Sequence, residues 1–429
     1  MARPDITSVT RPASGPGPRA LILLAILFAA LIISRKPSVL LHAELWGDEG
    51  WSFYPDAYAV GWHSLLIPAG GYLDTLQRLV GIAVQPLPLT AVPTVFAIAA
   101  LCVQVLPALF LVSHRMAAVL PSLPARLGLA LLYVVLPNEL EFYVNLTNAQ
   151  WNLALLAFLV LVGAPARSRA GRIADMVVLL LSGLSGPFML LLLPVSIWQL
   201  VERRHPDDRL RLAIVCATAL VQLCVILFVP HGGRSPAPLG AGPRMFARVV
   251  SLQVIFGAEL GFRTLGRITV LRVWQDNLLP VAVTLSAALL TGMALWRGAP
   301  LLRKFVLFCS LLLASALLSP QVSLTEPQWL MMTIPPLGNR YFGFPVMAWI
   351  AVVATLAADP ARLLRSVGLL LLAVILVWAV PHDWAVLRMQ PTDFLARARA
   401  FEAAPPGTRM TFPIVPNGLS PMILVKKPG

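Results

Sequence analysis

Four carboxylates, Glu44, Asp48, Glu49 and Asp56, fall within thirteen residues directly after the first membrane-length apolar run, in a chain with only 19 acidic residues among 429. Trp46, Trp51, Phe53 and Tyr54 lie between them. Asp48 and Glu49 are adjacent, so in an extended or turn backbone their side chains diverge and do not make a close carboxylate pair. One can point into a cavity while the other braces the loop. A carboxylate in a watered cavity at a bilayer edge can act as general base toward a hydroxyl, with partial burial raising its pKa toward the working range. The plainer reading is a solvated acidic loop that pairs with Arg35, Lys36 or other arginines.

Three further groups have chemical potential. Asn339-Arg340-Tyr341-Phe342 precedes a late apolar run. Arg340 is suited to bidentate phosphate binding, and Tyr341 to an isoprenoid wall; equally, both are residues that anchor a span end. Asn145, Asn148, Gln150 and Asn152 surround Trp151, so amides and an indole could take sugar hydroxyls and a sugar face, or cap a helix within the aromatic belt. His42 and His63 flank the acidic loop, and His42 and Glu44 are further candidates for substrate contact. His42, Glu44, Asp48 and Glu49 match no tight metal-site spacing, so no cofactor is expected and a divalent cation stays a minor alternative. His231 opens the longest later loop. No Walker motif, GxSxG or HExxH occurs, which leaves ATP-driven pumping and the common hydrolase classes without support.

The elements that must position these residues are apolar. The chain is 58% hydrophobic and 12% charged, with a mean hydropathy of +0.80. A soluble domain carries about 25% charged residues. The expected fold is an all-α polytopic membrane protein of about eleven transmembrane helices: 20–34, 88–112, 124–138, 148–163, 173–184, 187–201, 210–229, 279–296, 304–319, 341–357 and 366–380. Short basic linkers alternate with the longer linkers 35–87, 139–147, 230–278 and 320–340, which places the basic set in the cytoplasm and the others outside. The alternation closes only if 174–201 crosses twice around the turn signal Ser182-Gly-Leu-Ser185-Gly186-Pro187. The net charge of +14 follows the positive-inside bias, so no nucleic-acid partner is expected.

Residues 1–18 read as a disordered cytoplasmic tail, 19–380 as the transmembrane module, and 381–429 as a small extracytoplasmic tail. Leu73, Leu76, Leu79, Val80 and Ile82 recur at the spacing of an amphipathic helix lying in the interface within the first outer loop. In 230–278, apolar residues alternate with Arg244, Arg248, Arg263, Arg267 and Arg272, which invites an anionic ligand. The tail reads as one helix over Thr392–Glu402 and strands at Thr411–Val415 and Met422–Val425. Cys102, Cys216, Cys224 and Cys309 read as buried small hydrophobes. The Arg-rich, Ala- and Leu-rich composition suggests a bacterial source, hence the inner membrane, with the N-terminus cytoplasmic and the C-terminus periplasmic.

The acidic motif Trp46 to Tyr54, the interfacial helix after it, the hairpin Leu181-Ser-Gly-Leu-Ser-Gly-Pro-Phe188 and the 339–342 motif, in this order and sidedness, resemble the GT-C class of integral-membrane glycosyltransferases, such as protein O-mannosyltransferases and the lipid A aminoarabinose transferase. The resemblance implies an inverting transfer of a sugar from a polyprenyl-phosphate donor to a hydroxyl of a glycan, lipid or protein acceptor at the outer membrane face. It implies a base in the first outer loop, Asp48 first and Glu49 second, and a lipid phosphate held by Arg340 with Arg263 or Arg267. Trp46, Tyr341, Asn148, Gln150, His42 and Glu44 are the further binding candidates. The competing readings are an oligosaccharide ligase or polymerase, kept open by loop 230–278; a transporter or flippase, which should carry ionisable residues near mid-span; and a non-catalytic scaffold.

Overall fold

The computed structural model describes residues 15–229, 235–386, 391–416 and 419–428. His231 lies outside them, as does most of the expected N-terminal tail. Six helices are long and apolar enough to cross a membrane: Pro18–Arg35, Leu89–Val112, Pro206–Phe228, Leu278–Arg297, Pro300–Leu318 and Arg362–His382. Leu123–Val134, Ala149–Val162 and Gly343–Ala357 are shorter apolar helices. The stretch around 174–201 forms two helices, Arg169–Gly183 and Phe188–Arg203, separated by a turn. The architecture is that of a mostly helical, membrane-embedded chain.

Burial separates the centre of the bundle from its rim. Every residue of Ala149–Val162 is buried, as expected of a helix that is apolar on all sides and packed on all sides. The longer helices expose large apolar groups instead: Trp296 is 82% exposed and Phe228 77%. Apolar side chains facing outward in such numbers suit a lipid surround. Cys309 alone among the four cysteines is buried; Cys102, Cys216 and Cys224 lie on outward helix faces, so only one fits the expectation of burial. A thiol is apolar enough for a lipid-facing position, which sequence alone does not separate from an interior one.

One end of the bundle is tied by ion pairs. Asp175 takes two bonds from Arg115, at 2.6 and 2.7 Å, and one from Arg211 at 2.7 Å. Asp208 pairs with Arg203 and Arg211, Lys304 with Glu202, and Arg297 with Asp359 at 2.6 Å. The basic linkers are therefore not simply solvated. Many of their cations bind specific carboxylates on neighbouring helices.

At the opposite end, the helix Thr75–Ala83 buries Gln77, Arg78 and Gly81 and leaves Leu76, Leu79, Val80 and Ile82 half-exposed. Its polar residues Gln77 and Arg78 are buried, and Leu76 and Val80 pack at the edge of the apolar cluster that holds Leu45, Tyr54 and Phe96. Gly81 is required by a close approach, because a Cβ there would lie 2.6 Å from the Phe53 carbonyl oxygen. The hairpin turn docks on the residues that lead into this helix. Thr75 N–H donates to Leu184 O, Gly186 N–H to Leu73 O, and Leu76 N–H to Ser185 Oγ.

Within 230–278 the structure differs from a surface loop. Pro243–Val249, Val250–Phe256 and Gly257–Leu260 run on as one helical stretch packed on Leu278–Arg297 and Gly343–Ala357. Ser251, Leu252 and Gln253 are fully buried. The apolar residues at 249, 250, 252 and 254–256 cover more than one face, which suits an element enclosed by neighbours. The buried Gln253 side chain donates to Met332 O and its backbone carbonyl accepts from Asn138 Nδ2, each at 2.7 Å.

The tail folds as the helix Phe394–Ala403 and an antiparallel pair, β1 Arg409–Phe412 and β2 Met422–Val425, with Arg409 opposite Val425. Its first strand lies earlier than the expected Thr411–Val415. The tail has no core of its own. Phe394, Phe401, Phe412 and Ile414 share a cluster with Leu45, Tyr54, Phe96 and Leu146 of the loops beneath.

Candidate active site

The acidic loop is built by clasps at both edges. Gly47 N–H donates to Val415 O at 2.8 Å and Val415 N–H to Leu45 O at 2.9 Å, so the tail pairs with the loop in strand fashion. Gly47 takes a φ of +48°, which permits the turn just before Asp48. Trp51 Nε1 donates to Ser420 O at 2.6 Å. Glu49–Phe53 then forms a wide π-helical turn, a distortion frequent at functional sites.

The two adjacent acids have different surroundings. Glu49 is 2% exposed, and its carboxylate accepts from the backbone N–H groups of Trp46, Leu146 and Thr147. Burial pushes its pKa up to about 7 against the pull of these donors, with Asp48 pushing the same way. Glu49 therefore ties residue 46 to 146–147. Asp48 is half-buried and lines a cavity of about 760 Å³. Burial raises its pKa, while Arg340 and Arg78 oppose the shift. Of the two, only Asp48 lines this larger cavity.

Arg340 lines the same cavity. Its Nη1 donates to Glu141 Oε2 at 2.6 Å, and its Nη2 to Gln321 O at 2.7 Å and Tyr341 Oη at 3.2 Å. The guanidinium lies 4.6 Å from the centre of the Tyr341 ring. Asn339 fixes this segment: its side chain accepts from Leu140 N–H and donates to Asn138 O. The 339–342 motif is thus anchored through Asn339 to the 138–141 loop, and Arg340 is held by an acid of that loop.

The cavity wall continues through Trp46, Asn148, Gln150, Trp151 and Tyr341. Trp151 packs edge-on to Phe188 and Tyr341, with ring centroids 5.0 and 6.1 Å away. Asn148 donates to Glu141 O at 2.7 Å, and Gln150 accepts from Gln77 of the helix Thr75–Ala83. Amide, indole and phenol groups therefore surround the carboxylate and the guanidinium. Toward the bundle the wall turns apolar, with Phe188, Leu191, Leu312 and Ala316.

Other candidates fall elsewhere. His42 and Glu44 line a second cavity of about 530 Å³ with Lys36 and Asn145; Trp46 lines both cavities, and Glu49 lines this one beside it. Glu44 accepts from Thr392 N–H at 2.6 Å. Arg263 is exposed and donates to Ala385 O, and Arg267 is exposed; neither lines the Asp48 cavity. Among the described residues no group of three or more His, Cys, Asp or Glu is placed to hold a metal.

Sequence reasoning did not find Tyr72, Asp74, Arg78 or Glu141. Tyr72 and Glu141 line the cavity. Asp74 and Arg78 are buried behind it, and Arg78 pairs with Asp56 at 2.9 Å. Burial holds the Asp74 carboxyl well above the usual range, with Asp48 adding to the shift and Arg78 opposing it. Asp74, just before the helix Thr75–Ala83, was the one signal available: an acid beside an otherwise apolar pattern. No family model, curated protein or solved structure matches the chain.

Proposed function

We propose that the chain is an inverting glycosyltransferase that moves a sugar from a polyprenyl-phosphate donor to an acceptor hydroxyl at the outer face of a bacterial cytoplasmic membrane. The reading rests on one observation: a half-buried aspartate and an arginine, far apart in sequence, line one cavity whose wall runs from amides and aromatics to apolar helix faces. In this reading eleven helices cross the bilayer, the N-terminus is cytoplasmic, and the tail is periplasmic. The ion-paired basic linkers at one end and the acidic loop at the other support that orientation.

The chemistry follows from the placement. Asp48, ionised, takes the proton of the acceptor hydroxyl as the hydroxyl oxygen attacks the anomeric carbon. The bond from that carbon to the phosphate oxygen breaks, and the electron pair leaves with the polyprenyl phosphate. Arg340 stabilises this departing anion, exchanging part of its contact with Glu141 for the phosphate. Trp151 and Tyr341 offer faces to the sugar, and Asn148 and Gln150 offer amide groups. Phe188, Leu191, Leu312 and Ala316 suit the first isoprene units. Glu49 holds the loop and takes no proton from substrate.

The test uses the purified full chain in lipid nanodiscs with radiolabelled polyprenyl-phosphate sugars and a panel of acceptor hydroxyls. Transfer with inversion at the anomeric carbon, lost in Asp48→Asn, is the expected result. Absence of any donor turnover or donor binding across the panel would remove the reading.

A further inference from the structure

A cavity of about 600 Å³ opens at the other end of the bundle, away from Asp48. Its walls come from Leu123–Val134, Ala149–Val162, Gly343–Ala357 and the start of Pro300–Leu318. The lining is nearly all apolar, with Leu132, Phe158, Phe305 and Ile350 among its larger side chains, and its charged residues are Arg297 and Asp359. Pockets that take small ligands span about 300–1,000 Å³.

Gly128 argues that this space is kept open. It sits inside the helix Leu123–Val134, where glycine costs about 0.5–1 kcal/mol relative to alanine. Its backbone does not require glycine: its φ is not positive, and a Cβ there would meet nothing within 4 Å. Neither a turn nor a close helix contact explains it. What it does is leave room in the cavity it lines, where Ala125, Ala351 and Ala354 also keep the wall low.

The position and chemistry of the cavity identify the occupant. An apolar hollow among apolar helices does not hold water, and left empty it forfeits dispersion contacts along its whole lining. Arg297 donates through Nε and Nη2 to Asp359, at 2.6 and 2.9 Å, and its Nη1 takes no partner among the described residues. Arg303, exposed nearby, donates to Leu295 O and Trp296 O. We infer that this cavity binds one acyl chain of a bilayer phospholipid, with the lipid phosphate at the Arg297 Nη1 edge. The inference is independent of the glycosyl-transfer reading, because it concerns a separate cavity and a readout other than activity.

Native mass spectrometry of the full chain, extracted from membranes in a mild detergent, tests it, with tandem fragmentation to identify what is bound. The wild type is expected to retain one phospholipid. Gly128→Leu and, separately, Ala354→Leu place a side chain in the hollow and are expected to lower retention roughly tenfold, since the filled space removes the apolar burial that holds the chain. Gly128→Leu should keep or raise the melting temperature, because it also removes a mid-helix glycine. Arg297→Gln should weaken retention less than either filling variant. A wild type that carries no lipid, one that carries a polyprenyl phosphate instead, or two filling variants that both retain phospholipid as the wild type does, would each overturn the inference.

Discussion

Arg340 donates to Glu141 across 2.6 Å at the wall of the cavity that Asp48 also lines. The guanidinium is thereby oriented before any ligand arrives. In the proposed reaction, a phosphate entering the cavity meets a cation already held by Glu141, Gln321 and Tyr341, so little side-chain entropy is lost on binding.

Asp48→Asn should reduce sugar transfer by about 10²–10⁴-fold, the range a positioned general base supplies. Donor binding and thermal unfolding should stay near the wild type. Because burial raises the Asp48 pKa, and the base must be ionised, wild-type kcat/KM should fall as pH drops through that raised value. Measuring kcat/KM across pH in both proteins checks this; a variant with full activity removes Asp48 from the mechanism.

Glu49→Gln should act on stability. Above about pH 7, where Glu49 is ionised, the substitution replaces a carboxylate oxygen that accepts from Trp46, or the one that accepts from Leu146 and Thr147, by an amide donor facing N–H groups, at a cost of about 1–3 kcal/mol. The folded-state pKa of Glu49 is about 7, above its ordinary 4.5. Between these values the unfolded chain is ionised at this residue and the folded one is not, so the group's contribution is full below about 4.5 and is lost as pH rises through about 7. Chemical denaturation across that window should therefore show a shallower decline in the variant than in the wild type. Equal slopes would contradict the assignment.

Arg340→Ala should raise the donor KM by roughly tenfold or more, as loss of a charge-assisted phosphate contact implies. It also leaves Glu141 without its cation, so the melting temperature should fall. Arg340→Lys should recover charge and most of the stability but little of the donor affinity, since an ammonium does not reproduce the forked contacts to Glu141 and Gln321. Titration with donor, read by intrinsic tryptophan fluorescence, separates the two variants.

Phe412→Ala should lower activity without touching the cavity. Phe412 is fully buried and packs on Phe394 and Phe401, and removing such a ring costs about 3–5 kcal/mol. The loosened tail would release Val415 from Gly47 and Leu45. Faster proteolysis within 391–428 together with reduced transfer is the expected pair of outcomes. Reduced transfer with an intact proteolytic pattern would mean that the tail acts in some other way.

The helical elements were legible because membrane-length apolar runs and basic linkers are local signals. So was the turn at Ser182–Pro187, where small and turn-forming residues interrupt an apolar stretch. The partners of the site were not legible. Arg340 and Glu141 are 199 residues apart, and Glu141 carries no neighbouring pattern that marks it. Arg78 reads from sequence as the polar face of an interfacial helix, yet it is fully buried, because that helix packs against neighbours on more than one side. The stretch 243–260 read as an amphipathic part of an outer loop, because its apolar run alternates with arginines, whereas that run covers more than one face. Asp48 and Glu49 could be separated only once the backbone donors around Glu49 were visible.

Val415, Pro416 and Leu419 are translated after every other residue that contributes to the Asp48 cavity or clasps its loop at Gly47. The nascent chain therefore makes its helices while the Asp48 cavity still lacks one rim, and that rim closes only when this segment folds onto the aspartate loop. Chain termination before Val415 would leave the helices in place and the cavity open on that side.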